Sequence, residues 1–258
     1  MRPQYLPYKK RKPNLSYKKQ LGRILREGVY TKTPFQTKGT YTLLTLPPMV
    51  FPFSNGFPVI TERKIGFWRK PIAELLAFIN GVRTGDELAK WGCNWWGEQW
   101  ATPEKCATFG LEAGDLGPGS YGAAFHIFPT VDGGSFNQFE HLVQQIRDFP
   151  SVRTHVVTPW IPQYVLQHTG LQRKVVVAPC HGWIQITILD GKLTLRMDQR
   201  SGDFPIEVPS NIIQYAALTI MLGHVTGYEP HSYIHSVHDA QIYEDQVEQA
   251  RVIKEILS

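Results

Sequence analysis

Apolar residues recur along the chain with two different periods, and the periods sort it into helices and strands. Residues 15–28 place Leu15, Leu21, Ile24 and Leu25 ahead of Gly28, which predicts a short amphipathic helix stopped by glycine. Ile72, Leu75, Leu76 and Ile79 predict a second helix over 69–81, ended by Gly81. Phe139, Leu142, Val143 and Ile146 mark a third. Residues 211–226 are apolar nearly all round and predict a buried helix that begins at Asn211. Residues 40–60 are proline-interrupted and strand-like. Ile184, Ile186 and Ile188, then Asp190-Gly191, then Leu193, Leu195 and Met197 alternate as a β-hairpin with a two-residue turn.

That hairpin has a calculable register. Facing residues sum to 381, so an unbulged ladder carried back from the turn sets Cys180 opposite Ser201 and beside Arg200. A free thiol has a pKa of about 8.5 and a neighbouring cation lowers it, so the pairing makes Cys180 a candidate nucleophile. An ordinary buried strand cysteine is the plainer reading of that residue taken alone. His181 is adjacent in the expected strand and points to the other face, which argues against a cysteine hydrolase.

Composition narrows the class. The 258 residues are 42% hydrophobic and 19% charged, enough for a substantial core. No stretch approaches the roughly 20 apolar residues of a membrane span, and no apolar signal segment follows the basic start. Cys93, Cys106 and Cys180 show neither a disulfide framework nor zinc spacing. A reducing cytoplasm and no metal are therefore expected. Residues 1–26 hold nine Lys or Arg and no acid, leaving 18 cationic against 22 acidic residues in the remainder. This basic arm (1–14) is expected to be solvated or folded over a phosphate site, with a nucleic-acid partner the less favoured alternative. Residues 15–258 show no repeat, linker or boundary, so one catalytic domain is expected.

Several motifs in order resemble the thymidylate synthase family, over roughly residues 15 to 257. They are Pro179-Cys180-His181, Gln199-Arg200-Ser201-Gly-Asp203, Pro209-x-Asn211 and Asp239-x-x-Ile-Tyr243. Upstream, the segment from Phe57 to Lys64 is similar to the one with the family's folate-side lysine. Glu74-Leu-Leu-x-Phe-x-x-Gly81 resembles its catalytic-glutamate helix, Trp96 its active-site tryptophan, and Asp115-Leu-Gly-Pro with Tyr121 its tyrosine loop. The resemblance implies an α+β fold with a large mixed sheet packed in a symmetric homodimer. It implies a uridine nucleotide, dUMP, as substrate and 5,10-methylenetetrahydrofolate as co-substrate.

By the same resemblance Cys180 adds to C6 of the base, which turns C5 into an enolate able to attack the folate methylene. Glu74 organises proton transfers, and Tyr121 and Trp96 line the pocket. Lys64, Trp96 and Asp203 serve the folate side. Gln199, Arg200, Ser201, Asp203, Asn211 and Tyr243 bind the nucleotide, Arg200 through its phosphate and Asn211 through the base edge. Arg153 crosses to the partner's phosphate. Structural alternatives stand beside these: Glu74 on a solvated helix face, Tyr121 bracing its glycine loop, Asn211 as a helix cap, Trp95 and Trp100 as core.

The sequence departs from the family at identifiable points. The loop 33–40 lacks the usual arginine, for which Lys38 is the expected substitute, and Ser151-Val152-Arg153 keeps one of two adjacent arginines. Gln241 stands where a histidine is usual, Glu207 for a glycine and Ser210 for a phenylalanine. Members normally carry a tail that closes over folate beyond the last helix, whereas this sequence runs to Ser258. That tail excludes water, and water exclusion decides whether the transferred carbon takes hydride, giving methyl, or hydroxide, giving hydroxymethyl. Thymidylate synthesis is the leading expectation. A hydroxymethylase of the same family comes next, and a catalytically idle nucleotide- or nucleic-acid-binding relative after it.

Overall fold

The computed structural model describes residues 1–33, 37–60 and 65–255. In chain order they form α1 (Ser16–Glu27), β1 (Val29–Thr31), β2 (Thr40–Leu43), β3 (Met49–Pro52), α2 (Arg69–Ile79), α3 (Gly85–Lys90), α4 (Pro103–Thr108) and α5 (Tyr121–His126). There follow β4 (Phe128–Pro129), β5 (Ser135–Phe136), α6 (Gln138–Asp148), β6 (Val156–Val157), α7 (Pro162–Val165), β7 (Trp183–Leu189), β8 (Lys192–Asp203), α8 (Glu207–Thr226), β9 (Glu229–Tyr243) and α9 (Val247–Glu255). The fold is mixed α+β, with a large mixed sheet and flanking helices. Two compact units divide the chain: Met1–Trp68 with Gln185–Ser258, and Arg69–Ile184.

The first unit holds the sheet. Strands run in the order β1, β2, β9, β8, β7, with β3 also on β9. β8 and β9 pair in parallel, with Ser201 opposite Asp239 and Asp203 opposite Gln241, and β2 and β3 add antiparallel to β9. The turn between β7 and β8 is the expected one. Asp190 (φ 51°) and Gly191 (φ 71°) both take the left-handed conformation that a two-residue hairpin of matching twist requires. Alternation along β8 buries Leu193, Leu195 and Met197 under α8. Leu21 and Ile24 of α1 are fully buried, as their spacing predicts.

α8 begins four residues before the apolar run that announces it. The Asp203 carboxylate accepts the Ile206 N–H (3.2 Å), and Glu207 accepts the Asp203 N–H (3.1 Å), so these bonds tie down the turn that leads into the helix. Pro209 falls in the first turn, where its missing N–H costs nothing. Asn211 is therefore an interior helical residue, 3% exposed, and the expectation of a capping residue at 211 is corrected.

The second unit is mostly helical. Arg83 and Asp115 form a two-pronged ion pair (2.8 and 2.7 Å), and Asp115 also accepts the Gly117 N–H. These bonds fix the glycine loop ahead of α5. Gly122 lets α5 approach the end of α2, since a Cβ there would lie 2.0 Å from the Val82 carbonyl oxygen. Thr84, Thr102 and Asn137 cap α3, α4 and α6 through their side chains.

The two glycines predict different outcomes. Gly191→Ala meets no atom within 4 Å and suffers only backbone strain, so it should cost about 1–2 kcal/mol. Gly122→Ala must displace backbone and should cost about 3 kcal/mol or more. Urea midpoints of the two variants check the order, which a smaller shift for Gly122→Ala would reverse.

Candidate active site

In the second unit a chain of contacts leads from Cys180 to Glu74. β7 starts at Trp183, because Gly182 takes φ 97° and breaks the extended run. Cys180 therefore lies ahead of the strand, and the hairpin register does not extend to it. The expected strand alternation of Cys180 with His181 is corrected accordingly. The backbone is held by a side chain in its place. The Tyr121 hydroxyl accepts the N–H of Cys180 (2.7 Å) and that of His181 (3.4 Å). Both phenolic lone pairs are then directed at backbone donors. The Cys180 thiol is half-buried and lies 3.6 Å from the Ala178 carbonyl oxygen.

Tyr121 itself is 3% exposed and sits in an aromatic stack. Phe78 lies on one side (centroids 5.0 Å, 21°) and the His181 ring is also parallel to it (4.5 Å, 19°). Trp96 meets both Phe78 and Tyr121 edge-on. Burial pushes His181 down to about 3, so the ring stacks as a neutral imidazole at ordinary pH.

Glu74 is 8% exposed, on the inner side of α2, and the solvated alternative does not hold for it. Its Oε1 accepts the indole N–H of Trp95 (3.0 Å) and of Trp96. Trp95 was expected as core, yet it shares Glu74 with Trp96, and Lys70 stands over its ring at 5.8 Å. Trp100, also expected inside, is 42% exposed under Lys105. The other two thiols are buried, and that of Cys93 is pushed up to about 12 by burial and then by the charge of Glu74.

In the first unit the remaining candidates gather on β8, β9 and α8. Gln199 is fully buried and spends its amide within the protein, donating to the Ser201 carbonyl (3.0 Å) and accepting from His235 (2.8 Å). Gln241 donates to Ser201 Oγ (3.2 Å) and to Asp239 (2.7 Å). Gln246, which sequence patterns give no reason to select, bridges the Asp203 carboxylate (2.7 Å) and the Tyr243 N–H (3.2 Å). Asn211 donates to Gln214 at 2.8 Å. Arg200 is exposed on β8, and Lys38 is exposed and ion-paired with Asp245. In the second unit Arg153 is exposed between α6 and β6. Lys64 lies outside the described residues.

The thymidylate synthase family model matches residues 15–257. This chain belongs to that family. The match spans both units and every candidate residue, and it brings the family's transferase role in nucleotide biosynthesis, its uridine nucleotide and its folate co-substrate into view. A family nucleophile at Cys180 accords with a half-buried thiol whose backbone is fixed on both sides. No helix among the described residues is long and apolar enough to cross a membrane.

Two outcomes follow from this geometry. A thiol reagent applied to the native protein should modify Cys180 first, because Cys93 and Cys106 are buried. Peptide mapping that finds Cys106 or Cys93 modified before Cys180 would contradict that order. Acid should also destabilise the fold through His181. The unfolded chain protonates that ring below about 6.5 and the folded one only near 3, so stability drops as pH falls through this window. The loss approaches about 1.4 kcal/mol per pH unit for one such group. Denaturant midpoints at about pH 7 and about pH 4.5 should therefore converge more closely in His181→Asn than in the wild type. Equal pH sensitivity of the two proteins would remove His181 from the account.

Proposed function

We propose that this protein is a thymidylate synthase, converting dUMP to dTMP through a covalent bond between Cys180 and C6 of the base. The observation that carries the reading is the Tyr121 clamp on Cys180 and His181, inside a chain that the family matches almost end to end. It holds the backbone of Cys180 at a fixed position, with Trp96 and the buried Glu74 carboxylate further along the same chain of contacts.

Uracil C5 is a weak nucleophile until a thiolate adds at C6 and pushes its electrons onto C5 and O4. Folate supplies the one-carbon unit and the hydride that reduces it. Cys180 forms the C6 bond, then leaves once C5 has lost its proton and the ring double bond is restored. Glu74, held at one oxygen by two indoles, relays protons to and from the base and the folate nitrogen. Trp96, Lys64 and Asp203 serve the folate, and Gln246 donates to the Asp203 carboxylate. Ser201 and Arg200 receive the phosphate, Tyr243 the sugar, and Asn211 the base edge. Arg153 is supplied to the partner's phosphate across a homodimer, and Lys38 exchanges Asp245 for phosphate to replace the missing loop arginine. The residues on hand for a folate co-substrate are the Trp96 indole and the Glu74 carboxylate to which it donates.

The test is incubation with dUMP and 5,10-methylenetetrahydrofolate followed by mass spectrometry of the nucleotide. Thymidylate is expected from the wild type and none from Cys180→Ala, which loses one sulfur and should keep its thermal midpoint. A hydroxymethyl product would replace this reading by a hydroxymethylase. Turnover by Cys180→Ala within about tenfold of wild type would remove the covalent route, since loss of a nucleophile costs far more.

A further inference from the structure

Asn211 and Gln214 stand three residues apart on one face of α8, both deep in the first unit at 3% and 0% exposure. The Asn211 amide nitrogen donates to Gln214 Oε1 at 2.8 Å. The other end of the same amide, Oδ1, is buried with no hydrogen-bond partner among the described residues. Buried acceptors are nearly always paired, so one left open on a side chain this enclosed calls for a partner that binds later. Turning the Asn211 amide over would set its oxygen against Gln214 Oε1, acceptor against acceptor. Gln214 has at least one further interaction of its own.

We infer that Gln214 is the positioning residue that makes Asn211 offer its oxygen rather than its amino group to the base, and that this sets the preference for uracil over cytosine. Uracil carries a hydrogen on N3 and satisfies the open oxygen; cytosine carries a lone pair on N3 and opposes it. Sites built on such bonds reject the mismatched analogue because their buried polar groups are left unpaired. Selectivity then belongs to a pair of side chains, of which only one meets the ligand. The inference rests on Asn211 as the residue that reads the base.

The experiment measures Kd and kcat/KM for dUMP and dCMP on the same preparations of wild type, Gln214→Met, Gln214→Glu and Asn211→Ala. Each preparation is compared with itself, so an inactive fraction cancels from the ratio. Gln214→Met keeps the volume but removes the acceptor, and should lower the dUMP-to-dCMP ratio by about tenfold or more. Gln214→Glu keeps an acceptor and should hold the ratio within about threefold of wild type; if it does not fold, Gln214→Met decides alone. An unchanged ratio in Gln214→Met with a changed one in Asn211→Ala overturns the inference and leaves Asn211 as the reader. Unchanged ratios in both overturn the base assignment itself. A fall in Gln214→Glu equal to that in Gln214→Met shows that packing matters and the acceptor does not, which also overturns the inference.

Discussion

The hydroxyl of Tyr121 is the point through which the second unit is organised. One phenolic oxygen accepts two consecutive backbone N–H groups, at Cys180 and His181, where no strand supplies partners for them. Everything around the ring serves to keep that oxygen in place. Gly122 admits α5 against Val82, the Arg83–Asp115 pair fixes the preceding loop, and Phe78, Trp96 and His181 enclose the ring. The same enclosure excludes water from His181 and keeps it neutral. Losing the hydroxyl would leave two donors unsatisfied in a buried setting, a cost of about 1–3 kcal/mol for each that finds no water.

The first unit solves a different problem, the accommodation of many polar side chains on one face of a sheet. The parallel register of β8 and β9 brings Ser201 and Asp203 beside Asp239 and Gln241, and most of these groups are engaged with one another. Gln241 is an instructive departure from the family pattern. Its amide is committed to Ser201 and Asp239, so here the residue supports a neighbour rather than standing open to a ligand. Lys38 is similarly committed to Asp245.

Periodicity made most elements legible. Helix α2 with Gly81 behind it, helix α6 and the β7–β8 turn follow directly from spacing and turn residues. Four features were not legible, the first three for a local reason. Gly182 in the left-handed region ends the strand before Cys180, and no alternation pattern signals a single backbone angle. The start of α8 is fixed by Asp203 and Glu207, outside the apolar run, so hydrophobic spacing placed it late. Trp100 reads as core by type, yet a cation over its ring lets it lie at the surface. The Tyr121 clamp joins residues 59 apart in the chain and has no sequence signature beyond the two separate motifs.

The early start of α8 has a consequence for how this protein can change over evolutionary or laboratory time. Asn211 and Gln214 are buried within α8, as are Ile212, Tyr215 and Leu218. A residue that would discriminate between bases is thus also part of the foundation of the sheet. Variation there is charged against folding before it is tested against substrate, and new base preferences become accessible chiefly in backgrounds with stability to spare. Lineages that broaden specificity through this helix would be expected to acquire reinforcing substitutions elsewhere in the first unit beforehand.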